Sequence, residues 1–152
     1  MDQKTRAEYV ERYARLLEAQ GEPRILGRIH GHLLTSDEPY LSLQQLVDQL
    51  GVSKASVSTN TRRLVFMGLI TRVPVLGSRS EHFAADPDGV RRMIERAVEA
   101  TRGLEALMQE GLDLQPRVVS AGTQSLTRLS AFYAQMGADL ERQLAGKRKA
   151  AR

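Results

Sequence analysis

Polar, basic and small side chains recur at helical spacing between residues 53 and 63. On a helix, which turns about 100° per residue, most of them fall on one face, and Val57, Thr61 and Leu64 fall on the opposite one. Hydroxyl and guanidinium groups donate hydrogen bonds to phosphate oxygens and base edges. The chemistry that this pattern favours is therefore binding to a nucleic-acid duplex.

Individual side chains of this stretch suit different contacts. Arg62 is the candidate for a base contact, because arginine can bind guanine through two hydrogen bonds, worth about 1–3 kcal/mol of discrimination. Lys54 and Arg63 suit phosphates, and the small Ala55 suits close approach to a thymine methyl group or the backbone. For Asn60, a hydrogen bond within its own helix and a phosphate contact both remain open. The predicted DNA-binding residues are Ser53, Lys54, Ala55, Ser56, Ser58, Thr59, Arg62, Arg63 and Arg79.

Histidines give no comparable signal for metal binding or catalysis. His30 and His32 are two residues apart, so on a helix they would point about 200° away from each other, and His82 is the only other histidine. The 152-residue sequence contains no cysteine, no Gly-x-Ser-x-Gly elbow and no phosphate-cradling glycine loop. We therefore predict no metal site, no cofactor and no enzymatic activity.

The elements that would position the polar stretch are bounded by capping residues. Ser42 followed by Gln45 fits a capping box, and it opens a helix that ends at Gly51. Ser53 caps the next helix, which runs to about residue 67 and stops at Gly68. Two short helices joined by this tight turn predict a helix-turn-helix.

A hairpin is predicted directly after the second of these helices. Residues 69–76 are rich in β-branched and aliphatic types, residues 77–80 form a turn that contains Arg79, and residues 81–85 return as a second strand. Pro74 requires that its strand lie at an edge or contain a bulge. The resulting β-wing would place Arg79 beside the polar helix.

Long helices are predicted on both sides of this module. Residues 2–20 form an N-terminal helix, and Asp86 with Pro87 opens a helix that continues through Met108. In a last helix over residues 117–144, apolar residues alternate spacings of three and four and indicate a heptad seam, formed by Val119, Gly122, Leu126, Leu129, Tyr133, Met136 and Leu140. This seam suits either a core within one chain or a dimer interface, and two half-sites on DNA favour the dimer. The predicted dimer contacts are Val10, Tyr13, Leu17, Leu126, Leu129, Tyr133, Met136 and Leu140.

The basic charge of the chain is localised. Its net charge is +4, from 22 Lys and Arg against 18 Asp and Glu. Residues 51–85 contain five basic residues and one acidic residue, so this segment carries a net +4 by itself, which is typical of phosphate binding. The charged N-terminus and the lack of a long apolar run argue against a signal peptide and a membrane span. We expect a cytoplasmic protein with no membrane partner.

Residues 51–64 (GVSKASVSTNTRRL), followed by residues 68–73 (GLITRV), resemble the winged-helix regulators of the MarR superfamily. Residues 28–34 with Glu38 and Pro39, and residues 131–133, are similar to the second and the C-terminal helix of its branch named for the glycine-betaine synthesis repressor, the GbsR/MarR type. This resemblance covers nearly the whole chain. It implies a homodimeric, sequence-specific transcription regulator, often a repressor released by a small molecule. It also implies that residues 53–63 are the recognition helix and that Arg79 enters the minor groove.

Two points are left open by the resemblance. Many MarR-type wings have an aspartate before the arginine, where this chain has Ser78, so the sequence leaves open whether the wing is rigid.

Relatives that sense choline-like cations would need aromatic faces around the charge. The rings available here are Tyr9, Tyr13, Tyr40, Phe132 and Tyr133. A small-molecule effector would be expected in the cleft between the helix-turn-helix and the long helices.

The predicted fold is mainly α, a winged helix-turn-helix with a two-stranded β-wing and long N- and C-terminal dimerisation helices. Residues 1–20 are the N-terminal dimerisation helix, residues 21–86 the DNA-binding domain, residues 87–145 the C-terminal dimerisation region and residues 146–152 a basic tail. The predicted function is a homodimeric, sequence-specific transcriptional regulator, a repressor, on a palindromic operator in double-stranded DNA. A protein-binding adaptor and a non-specific architectural DNA-binding protein are the alternatives.

Overall fold

The computed structural model describes residues 2–115 and 120–150, with side chains described up to residue 145. The chain divides into two compact units, Met1–Val90 and Arg91–Arg152. Its elements are α1 (Gln3–Glu18), α2 (Arg24–Thr35), β1 (Leu41–Ser42), α3 (Leu43–Leu50), α4 (Lys54–Met67), β2 (Ile70–Val73), β3 (His82–Ala85), α5 (Gly89–Asp113) and α6 (Ala121–Ala150). Among the described helices, none combines the length and the apolar character that a membrane crossing requires.

Helix α1 packs closely against α2 within the first unit. A Cβ added to Gly27 would lie 2.6 Å from the Cα of Ala14, so only glycine permits this approach of the two helices. Ion pairs from Glu11 to Arg24 and Arg28, both at 2.7 Å, join the same two helices at the surface. The predicted N-terminal helix therefore forms part of the unit that carries the helix-turn-helix.

The helix-turn-helix consists of α3 and α4, and its predicted caps are confirmed. Both hydrogen bonds of the capping box join Ser42 and Gln45, and Gly51 ends α3 with φ at 64°. The Ser53 side chain accepts a hydrogen bond from the backbone amide of Ser56 at the start of α4, and Gly68 ends that helix with φ at 79°. Local hydrogen bonding thus fixes where the predicted recognition helix begins and ends.

A small antiparallel sheet follows, with strand order β1-β3-β2. Strands β2 and β3 form the predicted wing hairpin, in which Ile70 pairs with Ala85 and Val73 with His82. Strand β1 adds a third strand at the base of the hairpin through the pairing of Leu41 with Phe83. Phe83 is buried in the apolar core formed by α2, α3, α4 and the sheet, so the wing is anchored at its base.

The second unit is built from α5 and α6. Small residues allow the two helices to approach, since a Cβ on Gly137 would lie 3.2 Å from Oγ1 of Thr101. An ion pair of 2.5 Å between Arg102 and Glu141 joins them at the surface. Val98 and Thr101 are buried, while several large apolar side chains of both helices remain exposed.

Three predicted boundaries differ from those observed. Helix α5 starts at Gly89, not at Pro87, because Asp86 closes a turn by accepting hydrogen bonds from the amides of Asp88 (2.9 Å) and Gly89 (3.0 Å). Helix α6 begins at Ala121 and continues through Ala150, past the predicted end at residue 144. The backbone of residues 146–150, predicted as tail, is therefore helical. Arg117 and Val119 lie outside the described residues.

Candidate nucleic-acid interface

The two faces of α4 separate as the sequence predicts. Val57, Thr61 and Leu64 are buried in the core of the first unit. The Thr61 hydroxyl donates a hydrogen bond of 2.9 Å to the carbonyl of Val57, so a polar group is satisfied inside the apolar face. The buried face fixes the rotation of α4 about its axis, and this rotation determines which residues point outward.

The outward face of α4 is polar and positively charged up to Arg63, and near the C-terminal end of the helix it carries the exposed Phe66. Lys54, Ala55, Thr59 and Arg62 are exposed, and Ser56 and Ser58 are half-buried. Ser53, at the N-cap, accepts from the amide of Ser56 at 3.2 Å, so its hydroxyl oxygen is used to cap the helix. Nε of Arg62 donates to the Ser58 carbonyl at 3.2 Å, which directs this exposed side chain along the helix surface. These are the groups that could reach phosphates and base edges of a duplex.

Asn60 belongs to the buried side of the helix. Its side-chain nitrogen donates a hydrogen bond of 2.9 Å to the backbone carbonyl of Ser56, and the residue is buried. The sequence left open whether Asn60 bonds within its own helix or contacts a phosphate, and in the structure it forms the bond within the helix.

Arg63 is exposed but already has an anionic partner. Its Nη2 atom lies 2.8 Å from Oε2 and 2.9 Å from Oε1 of Glu22, which precedes α2. This ion pair joins α4 to the turn between α1 and α2. Sequence reasoning did not identify Glu22, because the two residues are distant in sequence and no local pattern connects them.

The tip of the wing is held by a tight turn. The amide of Ser78 donates to the carbonyl of Val75 at 3.1 Å, and Gly77 has φ at 79°. Ser78 also accepts a hydrogen bond of 3.2 Å from the amide of Ser80 through its hydroxyl oxygen. The Ser78 side chain thus braces the loop around Arg79.

Charge on the wing is concentrated at Arg79. Arg72 forms an ion pair of 3.1 Å with Glu81, which makes it a neutralised surface residue of the strand. Arg79 is exposed and, within the part of the chain that the structure describes, forms no ion pair. Arg79 and Lys54 line the same surface depression of about 210 Å³, together with Gln44 and with Glu81, the partner of Arg72. The structure therefore brings together the wing and the N-terminal end of α4, as the prediction required.

His30 is a core residue that connects three elements. Its Nδ1 atom lies 2.8 Å from the hydroxyl of Tyr13 on α1, and the ring also hydrogen-bonds to the backbone of Leu69. Burial lowers the pKa of His30 from 6.5 to about 4, because desolvation of the imidazolium outweighs the bond to Leu69, which favours the charged form.

The His32 side chain hydrogen-bonds to Gln49, with Nε2 at 2.5 Å from Oε1. Across the described residues, no group of three or more acidic or histidine side chains could hold a metal ion.

A cavity of about 550 Å³ lies within the first unit, between α1, α2 and the end of α3. Its lining includes Arg6, Glu11, Arg28 and Asp37, and Arg6 forms an ion pair with Asp37 across it. Its lining contains no Trp, Tyr or Phe, and the His32 imidazole is the one ring among the lining residues, so the cavity lacks the aromatic cage that would recognise a choline-like cation.

The predicted dimer contacts fall into two groups. On α1, Val10 is buried, and the half-buried Leu17 and Tyr13 pack against the core and bond to His30, respectively. On α6, Leu126, Tyr133, Met136 and Leu140 are half-buried, whereas Leu129 remains 43% exposed. The neighbouring Phe132 is 59% exposed, although the heptad pattern did not select it.

Comparisons with known proteins agree with this architecture. No protein-family model matches the chain. The HTH-type transcriptional regulator MmpR5 of Mycobacterium tuberculosis is 31% identical over 105 residues, which cover 69% of this chain and 64% of that relative. A crystal structure of a transcriptional regulator superposes with a TM-score of 0.83 at 26% identity, covering 97% of this chain and 99% of that one.

The fold is that of a winged-helix transcriptional regulator. The mainly helical architecture with a small wing, predicted from the sequence, is therefore confirmed. Since the alignment spans less than two thirds of MmpR5, the similarity establishes the type of fold and leaves activity and partners as matters of proposal.

Proposed function

We propose that the chain is a sequence-specific, double-stranded-DNA-binding transcription regulator of the MarR type that acts as a homodimer. The observation that carries this proposal is α4, whose apolar face is buried while Lys54, Thr59 and Arg62 stand exposed beside the wing residue Arg79. Phe66 is the one large apolar side chain exposed on α4, and a face that bound a protein would be richer in such anchors. The regulator names of the two relatives support the same conclusion.

Each side chain has a proposed position on the duplex. Helix α4 lies in the major groove, where Arg62 contacts a base and Thr59, Ala55, Ser56 and Ser58 contact neighbouring edges and sugars. Lys54 and the free edge of Arg63 meet phosphates, and Ser53 contributes through the cap at the helix N-terminus. Arg79 enters the adjacent minor groove and favours A·T-rich flanks, where that groove is narrow and electronegative.

The proposed dimer interface lies in the second unit. Two helices cannot enclose a core by themselves, and Leu104, Leu107, Leu129 and Phe132 remain exposed on α5 and α6. A second copy would cover this apolar surface through an isologous contact. Of the contacts predicted on α1, Val10 is buried within its own subunit, whereas Tyr13 and Leu17 are half-buried and remain candidates for a dimer contact. The dimer would present two α4 helices to half-sites about 10 bp apart.

We further propose that the protein is a repressor and that a small molecule releases it from DNA. The cavity between α1, α2 and α3 is a suitable effector site because it combines the charged groups of Arg6, Arg28, Glu11 and Asp37 with an apolar wall that includes Val10. Its lining favours a small polar or charged ligand. Thermal-shift measurements with a panel of small amines and carboxylates would test this, and Arg28→Met should abolish any stabilisation that is found.

A competition gel shift tests DNA binding itself. Genomic fragments that include the gene's own upstream region are incubated with the protein at two salt concentrations, with excess bulk competitor. We expect one or a few fragments to survive competition, with affinity that falls as salt rises. Arg62→Ala should still bind but should lose discrimination at one base pair per half-site. Equal coating of all fragments would identify an architectural protein, and no binding at either salt concentration would favour the adaptor.

A further inference from the structure

The corner of the wing turn presents a leucine to solvent. The turn over residues 75–78 has its hydrogen bond from the Ser78 amide to the Val75 carbonyl, and Gly77 has φ at 79°. Positive φ occurs only at glycines among the described residues, so Leu76 has negative φ and the turn is of type II. Leu76 therefore occupies the first corner position of a hydrogen-bonded turn, from which its side chain projects away from the hairpin.

The Leu76 side chain is fully exposed to solvent. Its relative exposure is 104%, whereas Val75 beside it is half-buried. Single exposed leucines are common on protein surfaces, so exposure alone does not indicate a role. Its position is more informative, because the other large exposed apolar residues described lie on helices or, as Leu114 does, directly after one. Leu76 alone among them lies on the wing, three residues before Arg79.

The charge around this corner indicates an anionic partner. Glu81 is the one acidic residue of the hairpin, and Arg72 neutralises it. Arg79 is left as the exposed cation, three residues along the chain from the exposed aliphatic side chain of Leu76. Minor-groove-binding proteins combine these two groups, a cation for the electronegative groove and an apolar wedge placed against a base step.

We propose that Leu76 is an apolar wedge that contacts a base-pair step in the minor groove beside the position of Arg79, and that it selects steps which unstack easily. The inference rests on the proposed function, since it needs the wing to lie on DNA. Pyrimidine–purine steps such as TA and CA are the most easily kinked, so they are the expected targets. Leu76 would then add specificity through DNA deformability, while α4 reads base edges in the major groove.

Parallel selections from a pool of randomised duplexes test the proposal. The wild type, Leu76→Ala and Leu76→Met are each used to select bound DNA, which is then sequenced. We expect all three to enrich the same central half-site, whereas only the wild type and Leu76→Met enrich a pyrimidine–purine step in the flank. On the duplex that the wild type selects, Leu76→Ala should bind about tenfold more weakly, the loss expected when a leucine side chain is no longer buried.

Leu34→Ala is the matched control, because Leu34 is an exposed leucine on α2, away from the wing. It should leave both the selected sequence and the affinity unchanged. An unchanged flanking preference with Leu76→Ala, at an affinity within about twofold of the wild type, would overturn the proposal. A shift of Leu76→Ala from dimer to monomer in sedimentation would do the same, since it would place Leu76 in a protein contact. If the wild type enriches no sequence at all, the proposed function itself is wrong.

Discussion

Nη2 of Arg63 lies 2.8 Å from Oε2 of Glu22, although the two residues are separated by 41 positions in the chain. The pair joins the outward side of α4 to the turn that precedes α2. The Glu22 side chain is only 20% exposed, so its carboxylate is held against Arg63. A negative charge is therefore built into the edge of the surface that we propose for DNA.

Removal of that charge should strengthen DNA binding. Glu22→Gln keeps a hydrogen-bond acceptor for Arg63 but no longer neutralises it, so affinity at low salt should rise about three- to tenfold and depend more steeply on salt. Fluorescence anisotropy with a fragment retained in the gel shift measures both quantities. Glu8→Gln, the same change at an exposed position of α1, should have little effect. Weaker binding by Glu22→Gln would show that the ion pair orients α4 and that Arg63 does not contact phosphate.

Replacement of the wing arginine should reduce both affinity and salt dependence. Arg79→Ala removes one cation from the minor groove, so the slope of log affinity against log salt should become shallower by about 1. Arg72→Ala combined with Glu81→Gln is the control on the same hairpin, because it removes both partners of a neutral ion pair and leaves the net charge of the wing unchanged. A salt slope that is the same for Arg79→Ala and the wild type would remove Arg79 from the DNA contact.

Leu129 provides the test of the proposed dimer. A carboxylate at this exposed seam position would be desolvated in an isologous interface, so Leu129→Asp should dissociate the dimer. Gln124→Asp introduces the same group at an exposed polar position of α6 and should leave the dimer intact. Analytical ultracentrifugation distinguishes the two. Equal sedimentation of the wild type and Leu129→Asp as dimers would place the interface elsewhere.

The buried His30 should make stability depend on pH. Its pKa falls from 6.5 to about 4 on folding, so the unfolded chain takes up the proton first as the pH drops. The free energy of unfolding therefore keeps its full value, as far as His30 is concerned, above about pH 6.5 and decreases as the pH falls towards 4. Between pH 7 and pH 5 this decrease amounts to at most about 2 kcal/mol. Urea unfolding at both pH values should therefore show a loss that is much smaller for His30→Gln. Equal losses in the two proteins would mean that His30 does not titrate as described.

Much of the first unit follows from local sequence. The caps Ser42, Ser53, Gly51 and Gly68 act within one helical turn, so the bounds of the helix-turn-helix can be predicted from neighbouring residues alone. The burial of Val57, Thr61 and Leu64 follows from helical periodicity in the same way.

The features that sequence did not predict depend on residues distant in the chain. A short strand at Tyr40 and Leu41 could be read from the sequence, but no local pattern indicates that Leu41 pairs with Phe83 and makes the sheet three-stranded. Glu22 contacts Arg63 only because α1, α2 and α4 pack in one unit. Helical spacing selected Tyr13 as an apolar-face residue of the N-terminal helix but did not indicate that its hydroxyl meets His30 on α2. Periodicity indicates that a face is covered but does not identify which element covers it.

The absence of cysteine permits a direct test of the surface of α4 that we propose for DNA. Thr59→Cys introduces a single thiol on this face, and Glu99→Cys introduces one at an exposed position of α5. The rate of maleimide labelling is measured for each variant with and without a DNA fragment that survives competition. We predict that bound DNA slows labelling of Thr59→Cys at least about tenfold and leaves the labelling rate of Glu99→Cys unchanged. Equal labelling of Thr59→Cys with and without bound DNA would contradict this prediction.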